Sequence, residues 1–391
     1  MVHYIEITKP TPYPHAKLRS IQVTARVQGE ANILYQLIRQ SLREPDKRPL
    51  LIVLNPFGGE KQAFRLYEKV VRPMLEEAGI NHDVSMTEYR LHAQLVTHSL
   101  QLSKYCGLLV IGGDGLLHEC INGLLSRSDW RSASTFPIGL IPAGTSNAVA
   151  RSIGTTDPVY AVYTAIRGTT AHFDSVIYEQ GEHRFYGHFA CMFGLVADVD
   201  IGSEAWRCLG RGRLTCTMLL RLMQLRSYHA EISYIPDGVQ IEGSSDSNQG
   251  ATDRPPMRYK SLFLQKDPRI ETIPETQYYS FLATKFPYLD RDVRMSQYVE
   301  TRSGLLDLLM LPKRPNGLTR WKLLKSCWYS DGAMLNDDPA VGDHRCAKAC
   351  MLRFRQYEGA LLDVDGEEVP NANIYFECLP NALLFFVHDT Q

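Results

Sequence analysis

The hydrophobic residues in the first half of the chain form short, uninterrupted runs. Three of these runs are 50–54, 108–111 and 137–141. Parallel strands are buried on both faces, so they read as continuous apolar runs rather than as an alternation of polar and apolar residues. A loop and then apolar residues at helical spacing follow each run, as in 116–125. The pattern predicts repeated β-loop-α units and therefore a parallel, doubly wound (Rossmann-like) α/β domain.

Further elements complete the predicted α/β domain. A helix begins near Lys61, and Pro73 either kinks it or marks a boundary within it, because proline lacks the N–H group that a helix interior uses. A short strand over 83–87 and a helix over 91–102 precede the run at 108–111. Each predicted strand is therefore separated from the next by helical sequence, as a parallel sheet requires.

The pattern changes after about residue 173. Short β-rich runs become frequent and long helices fewer, which is typical of antiparallel strands. The runs are 175–178, 185–192, 231–234, 278–283, 305–311, 351–355 and 360–364. We therefore predict an antiparallel β-sandwich over 174–391. Residues 237–258 are rich in Gly, Ser, Asp and Pro, and they predict a flexible surface insertion.

Residues 1–49 fit neither pattern. The alternating run 20–27 predicts a half-exposed strand, and 31–42 predicts an amphipathic helix. These two elements fit either the end of a small β-domain or a packed extension. The predicted division of the chain is therefore 1–49, 50–173 and 174–391.

Composition and charge argue against several classes of protein. The chain has 391 residues and a net charge of −1, whereas nucleic-acid-binding proteins carry a basic excess, so we expect no nucleic-acid partner. No apolar run reaches the roughly 18 residues that a membrane-spanning helix needs. The N-terminus lacks the charged-then-apolar pattern of a signal peptide. The nine cysteines have no paired spacing, which favours reduced thiols in the cytosol.

One turn combines a phosphate-friendly backbone with a carboxylate. Gly112, Gly113 and Gly115 surround Asp114 where a predicted strand becomes a helix. Glycine lets a phosphate approach the backbone, and a helix N-terminus favours anions, but a carboxylate repels a phosphate. Asp114 is therefore interpreted as a base or a metal ligand, with an aspartate that caps its own helix as the alternative.

Two more loops are expected beside this turn. Residues 55–59 follow one predicted strand, and residues 142–147 follow another. Since the carboxyl ends of parallel strands meet at one edge of the sheet, the three loops converge there. Three convergent loops predict a phosphate-binding site much more specifically than one loop does.

The same loops carry a family resemblance. The stretches are Asn-Pro-Phe-Gly-Gly at 55–59, Thr-Glu-Tyr-Arg-Leu-His-Ala at 87–93, Gly-Gly-Asp-Gly-Leu-Leu-His-Glu at 112–119 and Pro-Ala-Gly-Thr-Ser-Asn at 142–147. They resemble the diacylglycerol-kinase-type catalytic domain. The stretch 193–204, the arginines that follow it and Val-Asp-Gly-Glu at 364–367 are similar to the sphingosine kinase family.

The resemblance covers roughly 50–390. It implies a nucleotide-binding α/β domain and a β-sandwich with the active site in the cleft between them. Residues 1–49 lie outside it and are interpreted as a remnant of a pleckstrin-like domain, which some long-chain-base kinases carry.

The implied activity is ATP-dependent phosphorylation of the primary hydroxyl of a sphingoid base. Asp114 is then the general base that receives the hydroxyl proton. Arg207 and Arg213 resemble the arginines with which the family contacts phosphates, since a guanidinium offers paired donors; ordinary solvated helix charges are the alternative. The resemblance also places these residues in the nucleotide site: Asn55, Phe57, Gly59, Thr87, Gly113, Gly115, Gly144, Thr145, Asn147, Asp365, Gly366 and Glu367. Phe57 replaces a basic residue of some members, so one phosphate or ribose contact is expected to be missing.

Two carboxylates distinguish the candidate substrates. Asp198 and Asp200 are two positions apart, so on a strand they share one face. By resemblance, Asp200 binds the ammonium group of a sphingoid base with Asp198 as its partner, whereas a diacylglycerol has no amine. Ala190 stands where related enzymes carry a serine near the substrate hydroxyl. Leu195 and Val196 resemble residues that line the lipid tail, with core packing as the alternative.

Magnesium is expected to accompany ATP. In this interpretation Asp365 helps to hold the ion and Glu367 points at the adenine, although an Asp-Gly pair is equally typical of a hairpin turn. The spacing of His344, Cys346 and Cys350 could suggest zinc, but no second ligand pair has zinc spacing, so a zinc site is disfavoured.

Residues 213–228 predict an amphipathic helix that includes Arg221 and Arg226. Such helices dock on membrane surfaces or bind calmodulin-like proteins, and a helix buried in the domain is the alternative. An insoluble substrate favours a cytoplasmic protein that is recruited peripherally to membranes. A homodimer is a further expectation.

Three functions compete on this sequence. The first is a sphingosine kinase. The second is a kinase for another acceptor, namely diacylglycerol, ceramide or NAD, but NAD kinases lack the segment around Asp198 and ceramide lacks a free amine. The third is a lipid-binding relative without catalysis, against which the retention of Asp114 and all three loops argues.

Overall fold

The computed structural model describes thirteen segments of the chain: 2–7, 16–21, 46–58, 61–188, 190–203, 205–206, 212–239, 253–290, 293–294, 299–313, 345–357, 359–370 and 373–387. The chain divides into two compact units. Unit 1 comprises 1–117, 135–172 and 383–391, and unit 2 comprises 118–134 and 173–382. The predicted helix at 31–42 and most of the predicted insertion lie outside the described residues.

Unit 1 contains a parallel sheet and a separate strand pair. The strands are β1 (Val2–Ile7), β2 (Ala16–Ile21), β3 (Leu50–Leu54), β4 (His82–Met86), β5 (Gly107–Gly112) and β6 (Pro137–Pro142). β1 and β2 pair with each other, whereas the other four form a parallel sheet in the order β4-β3-β5-β6. β3 and β5 are buried along their whole length, as their unbroken apolar sequence predicts.

Short helices connect these strands, and the helical segment between β3 and β4 contains a π-helical turn. They are α1 (Ala63–Leu66), α2 (Arg72–Glu77), α3 (His92–His98), α4 (Asp114–Leu125), α5 (Trp130–Ala133), α6 (Ala148–Ser152) and α7 (Pro158–Arg167). A π-helical turn at Tyr67–Val71 joins α1 to α2. Pro73 cannot donate a backbone hydrogen bond, so the regular helical pattern changes just before it, and the predicted boundary is confirmed.

The remaining strands are antiparallel in the described pairings that lie within unit 2. They are β7 (Thr170–Gln180), β8 (His183–Gly187), β9 (Ala190–Gly194), β10 (Tyr228–Pro236), β11 (Glu271–Thr284), β12 (Leu306–Pro312), β13 (Arg345–Gln356), β14 (Leu362–Val364), β15 (Glu367–Val369) and β16 (Asn373–Phe386). β10 pairs with parts of β11 and β13, and β12 pairs with other parts of the same two strands. The sheet therefore folds over a core that includes Phe193, Phe281, Phe354 and Phe376. The predicted α/β class with an antiparallel C-terminal part is confirmed.

Among the described residues, three helices interrupt the strands of unit 2: α8 (Leu195–Ser203), α9 (Gly212–Met223) and α10 (Lys260–Gln265). The prediction that Asp198 and Asp200 lie on a strand is wrong, because both belong to α8. Their sequence alternates partly as a strand does, but Gly194 adopts φ +72° and ends β9. A side chain at Gly194 would meet the carbonyl of Tyr279 at 2.5 Å, so only glycine fits this turn.

The segment predicted as one amphipathic helix over 213–228 is divided in the structure. α9 ends at Met223, and Tyr228 already begins β10. In the described part of the chain, no helix combines the length and apolar character that crossing a bilayer requires.

Candidate functional site

The glycine-rich loops of unit 1 converge at one edge of the parallel sheet. Leu54 is in register with Ile111 and with Met86, and Gly112 is in register with Pro142. The loops that follow β3, β5 and β6 therefore begin side by side, as predicted. Thr87 follows β4 at the same edge, and its N–H donates to the carbonyl of Leu54 at 2.9 Å.

Two of these loops touch through their glycines. A Cβ atom on Gly144 would lie 2.5 Å from the Cα of Gly113, and one on Gly113 would lie 3.0 Å from the Cα of Gly144. The N–H of Ala143 donates to the carbonyl of Gly112 at 2.9 Å, which holds the loops together. Both glycines are therefore needed for the contact itself, in addition to any approach of a phosphate.

The carboxylate of Asp114 links the same two loops. Its Oδ2 accepts from the N–H of Ala148 at 2.9 Å, and its Oδ1 accepts from the N–H of Val149 at 3.1 Å. Asp114 thus binds the first turn of α6, the helix that follows the neighbouring loop. Asp114 therefore caps α6 and not its own helix, as the alternative interpretation had it. Its role as general base stays a prediction.

Two asparagines predicted at the nucleotide site shape their own loops. Oδ1 of Asn55 accepts from the N–H groups of Phe57 and Gly58, both at 2.9 Å. Asn147 adopts φ +54°, accepts from the N–H of Gly144 at 3.0 Å and donates to its carbonyl at 2.6 Å. Their amides therefore order the loop backbone, whose N–H groups are what a phosphate would use.

The other residues predicted for the nucleotide differ in accessibility. Phe57 is 70% exposed, Gly115 is exposed with open space around its Cα, and Thr145 is half-buried. Arg213 lies half-buried in the first turn of α9. Gly59 and Arg207 lie outside the described residues. The nucleotide contacts of all these residues stay predictions.

In unit 2 the Asp-Gly pair forms a hairpin turn. Asp365 and Gly366 have φ values of +55° and +87°, and they connect β14 to β15 with Val364 opposite Glu367. Two consecutive residues with positive φ characterise the tight turn for which Asp-Gly is favoured. The hairpin interpretation of this pair is therefore confirmed. Gly366 and Glu367 are exposed, and their nucleotide contacts stay predictions.

The Asp365 side chain is buried and strongly hydrogen bonded. Its Oδ2 accepts from Nδ1 of His118 and from the N–H of His188, and its Oδ1 accepts from the N–H of Ala190, each at 2.9 Å. Burial opposes ionisation, but the two histidines outweigh it and hold the pKa of Asp365 well below its ordinary value. Ala190, predicted near the substrate hydroxyl, thus contributes its backbone to the Asp365 site.

Ligand atoms of His118, His188 and Asp365 lie within 4.8 Å of one another, a spacing compatible with a metal ion. The amide of Asn122 is oriented by the backbone of Tyr186 and donates to Nε2 of His118 at 3.1 Å. His118 therefore carries its proton on Nδ1, which donates to Asp365 and offers no lone pair to a metal. Histidine is also a poor ligand for Mg²⁺. This cluster does not fit a magnesium ion, and Asp365 as its ligand stays a prediction without support from these contacts.

The aspartates of α8 have different surroundings. Asp198 is buried and accepts a hydrogen bond from the hydroxyl of Tyr228 at 2.7 Å. Burial raises the pKa of Asp198, and the Tyr228 hydrogen bond partly opposes this rise. Asp200 is half-buried and contacts the carboxyl of Asp363 in β14. The structure therefore gives Asp200 a partner other than Asp198.

An apolar cluster lies between α8 and α9. Its buried members are Leu195, Val199, Leu222 and Leu311, and Met218 and Leu225 pack against them. Leu195 is thus brought together with part of the following segment, whereas Val196 is not in this cluster. A role in holding a lipid tail stays a prediction for both residues.

Four residues at the site had no role predicted from the sequence: His118, His188, Asn122 and Asp363. His118 and Asn122 are four positions apart on α4, a spacing that brings helical side chains together. Asp363 and Asp365 alternate along the chain just before a turn, which is a signal that both can face one side. His188 has no comparable signal, because only the folded chain places it beside Asp365.

Comparisons with known proteins agree with this fold. Residues 49–177 match the diacylglycerol kinase catalytic domain. The crystal structure of a diacylglycerol kinase from Bacillus anthracis superposes with a TM-score of 0.59 at 16% identity, covering 88% of this chain and 99% of that chain. At this identity the likeness concerns the fold alone.

Curated relatives are similar over more of the chain. Sphingosine kinase 1 of Arabidopsis thaliana is 30% identical over 369 residues, which cover 88% of this chain and 73% of that relative. Sphingosine kinase 2 of the same plant is 38% identical over 201 residues, covering 50% and 41%. Sphingoid long chain base kinase 4 of Schizosaccharomyces pombe is 28% identical over 292 residues, covering 72% and 61%.

Proposed function

The chain belongs to the sphingosine kinase family of lipid kinases, and from this premise we propose that it transfers the γ-phosphate of ATP to the primary hydroxyl of a sphingoid base. The observation that carries the proposal is the position of Asp114. Its carboxylate is fixed where two glycine-rich loops touch, at the edge of the parallel sheet where phosphates bind in such domains.

In the proposed reaction the substrate hydroxyl oxygen bonds to the γ-phosphorus while the bond from that phosphorus to the bridging oxygen of ADP breaks. The hydroxyl proton passes to Asp114. The hydrogen bonds from Ala148 and Val149 fix the position of the Asp114 carboxylate. Mg²⁺ bound to ATP would neutralise phosphate charge.

Asp200 is proposed to recognise the lipid. A sphingoid base carries an ammonium group next to its reacting hydroxyl, and the half-buried carboxylate of Asp200 offers it a negative charge that is still accessible. A diacylglycerol or ceramide has no such cation. The amine is therefore the feature by which we expect the enzyme to choose its acceptor.

Membrane recruitment is proposed for α9. Leu219, Leu220 and Met223 are exposed on this helix, and Met223 is 64% exposed. Apolar residues on a surface helix that also carries Arg221 suit the interface of a membrane that holds the lipid substrate. Binding of a calmodulin-like protein at 213–228 and a homodimer stay predictions.

The test measures transfer of label from [γ-³²P]ATP to sphingosine, dihydrosphingosine, ceramide and diacylglycerol in parallel. We expect the two sphingoid bases to be labelled and the two uncharged lipids not to be. Asp114→Asn should lower kcat on sphingosine by about 10² to 10⁴-fold, because the proton acceptor is removed. Labelling of diacylglycerol alone, or near-normal activity of Asp114→Asn, would contradict the proposal.

A matched control is needed because Asp114 also caps α6. Asp157 caps α7 in the same unit by accepting from the N–H of Tyr160 at 3.1 Å. Asp157→Asn removes the same charge from the start of a helix but keeps a capping oxygen, so it should lose a similarly small stability, about 0.3–1 kcal/mol, and keep its turnover. If both variants lose activity equally, the effect of Asp114→Asn is structural.

A further inference from the structure

A second carboxylate stands beside Asp200. Asp363 lies in β14, which pairs with β9, and β9 leads directly into α8, the helix that carries Asp200. The Asp363 side chain is fully buried, and its carboxyl contacts that of Asp200. The fold therefore places two acidic groups in contact. Asp363 is fully buried, whereas Asp200 is half-buried.

The hydrogen bonding of Asp363 is incomplete. One oxygen, Oδ1, accepts from the N–H of Gly366 at 2.8 Å, whereas the buried Oδ2 has no donor. Two ionised carboxylates cannot donate to each other, so the contact with Asp200 is a hydrogen bond only when one of the two is protonated. A buried oxygen without a donor is costly, so Oδ2 of Asp363 needs either a proton shared with Asp200 or a cation that both carboxylates bind.

The other acidic groups nearby already have donors. Asp198 is bound by Tyr228, and Asp365 is bound by His118 and by two backbone N–H groups. Neighbouring carboxylates become stable together when a cation lies between them. A primary ammonium group has three donors and one positive charge, so it can satisfy Oδ2 of Asp363 and Asp200 at the same time.

We propose that Asp363 and Asp200 together form the site for the ammonium group of the lipid substrate, with Asp200 on the accessible side and Asp363 as the buried second carboxylate. This rests on the proposed function for the identity of the cation. Asp363 is then a residue that determines specificity, since a second negative charge favours a charged amine over the uncharged amide of an N-acylated lipid.

The test is direct binding to the full chain at pH 7, without turnover, followed by tryptophan fluorescence. The ligands are sphingosine and N-acetylsphingosine, which share the alkyl chain and differ in charge. Asp363→Asn keeps an acceptor for the N–H of Gly366 and removes the charge. We expect it to bind sphingosine about tenfold more weakly than the wild type and to bind N-acetylsphingosine equally well. The control Glu182→Gln, in the exposed turn between β7 and β8, should change neither affinity.

Equal affinity of the wild type and Asp363→Asn for sphingosine would overturn the inference. An equal loss for both ligands would also overturn it, because it would indicate a purely structural role. If circular dichroism shows that Asp363→Asn is unfolded, Asp363→Ser is measured by the same criterion. The double variant with Asp200→Asn should lose less sphingosine affinity than the sum of the losses of the two single variants, since both carboxylates bind one cation. A wild type that binds sphingosine without phosphorylating it contradicts the proposed function and leaves this inference standing.

Discussion

The carboxylate of Asp365 is buried and accepts hydrogen bonds from the ring of His118 and from the backbone N–H groups of His188 and Ala190. These donors come from α4, from the chain just after β8 and from the first residue of β9, so one side chain holds three segments of unit 2 in place. At the residue scale, Asp365 therefore stabilises the fold of unit 2, whether or not it also binds a ligand.

Asp365→Asn should lower the free energy of unfolding of unit 2 by about 2 kcal/mol at pH 7, because buried donors lose a charged acceptor. Asn-Gly still suits the hairpin turn, so the loss reports on the charge. Because the folded-state pKa of Asp365 is lowered, its contribution is present above the ordinary value of 3.8 and disappears as the pH falls through and below it.

The measurement is urea unfolding from pH 7 to pH 3.5. The difference in the free energy of unfolding between the wild type and Asp365→Asn should become smaller as the pH falls below about 4. The control Glu275→Gln removes a carboxylate that is 46% exposed beside His229, and it should change stability by less than about 1 kcal/mol. A constant difference across this pH range would contradict the assigned role.

At the scale of elements, the loops after β5 and β6 form one assembly. A Cβ atom on Gly144 would lie 2.5 Å from the Cα of Gly113, and one on Gly113 would lie 3.0 Å from the Cα of Gly144, so a side chain at either position would push the loops apart. Asn147 then closes its loop, and Asp114 binds the first turn of α6. Any phosphate held by one loop is therefore positioned by both.

Gly144→Ala should destabilise unit 1 by about 1–3 kcal/mol and raise KM for ATP, because its Cβ would lie 2.5 Å from the Cα of Gly113 and push the loops apart. Gly115→Ala is the matched control for stability, since nothing lies within 4 Å of its Cβ position and alanine favours the helix. Thermal unfolding and ATP titration of kinase activity measure the effects. Equal melting temperatures of Gly144→Ala and the wild type would contradict the contact.

At the scale of the whole molecule, the chain does not complete its units in sequence order. Residues 118–134 belong to unit 2, and residues 383–391 belong to unit 1. Leu384, near the end of β16, pairs in parallel with Pro137 of β6. The ring of Phe386 enters the core of unit 1, at 3.0 Å and 3.2 Å from the Cβ positions that Gly107 and Gly139 lack.

Phe386→Ala should therefore destabilise unit 1 by about 3–5 kcal/mol, since it removes a buried aromatic ring from the core. Hydrogen exchange followed by mass spectrometry would detect faster exchange in β3, β5 and β6. Phe376→Ala, in the core of unit 2, should instead accelerate exchange in β10 and β13. If Phe386→Ala leaves exchange in β3, β5 and β6 unchanged, the C-terminal residues are not part of that core.

The strands and loops of unit 1 could be predicted from sequence because their information is local. An apolar run such as 50–54 fits a doubly buried strand, and the glycines after 111 fit a turn without further context. The segment 195–203 could not be assigned in the same way. Its apolar and acidic residues fit both a strand and a helix, and the turn at Gly194, which depends on the neighbouring Tyr279, decided for a helix.

The sequence by itself determined the α/β class, the convergence of three loops and the family, since each depends on residue types at fixed spacing. Only the tertiary structure decided which partners the acidic side chains have. Asp114 binds the start of α6, Asp365 binds His118, and Asp363 lies beside Asp200. The physical reason is that a carboxylate's role depends on the donors and charges within a few ångströms, and these come from residues far apart in the chain.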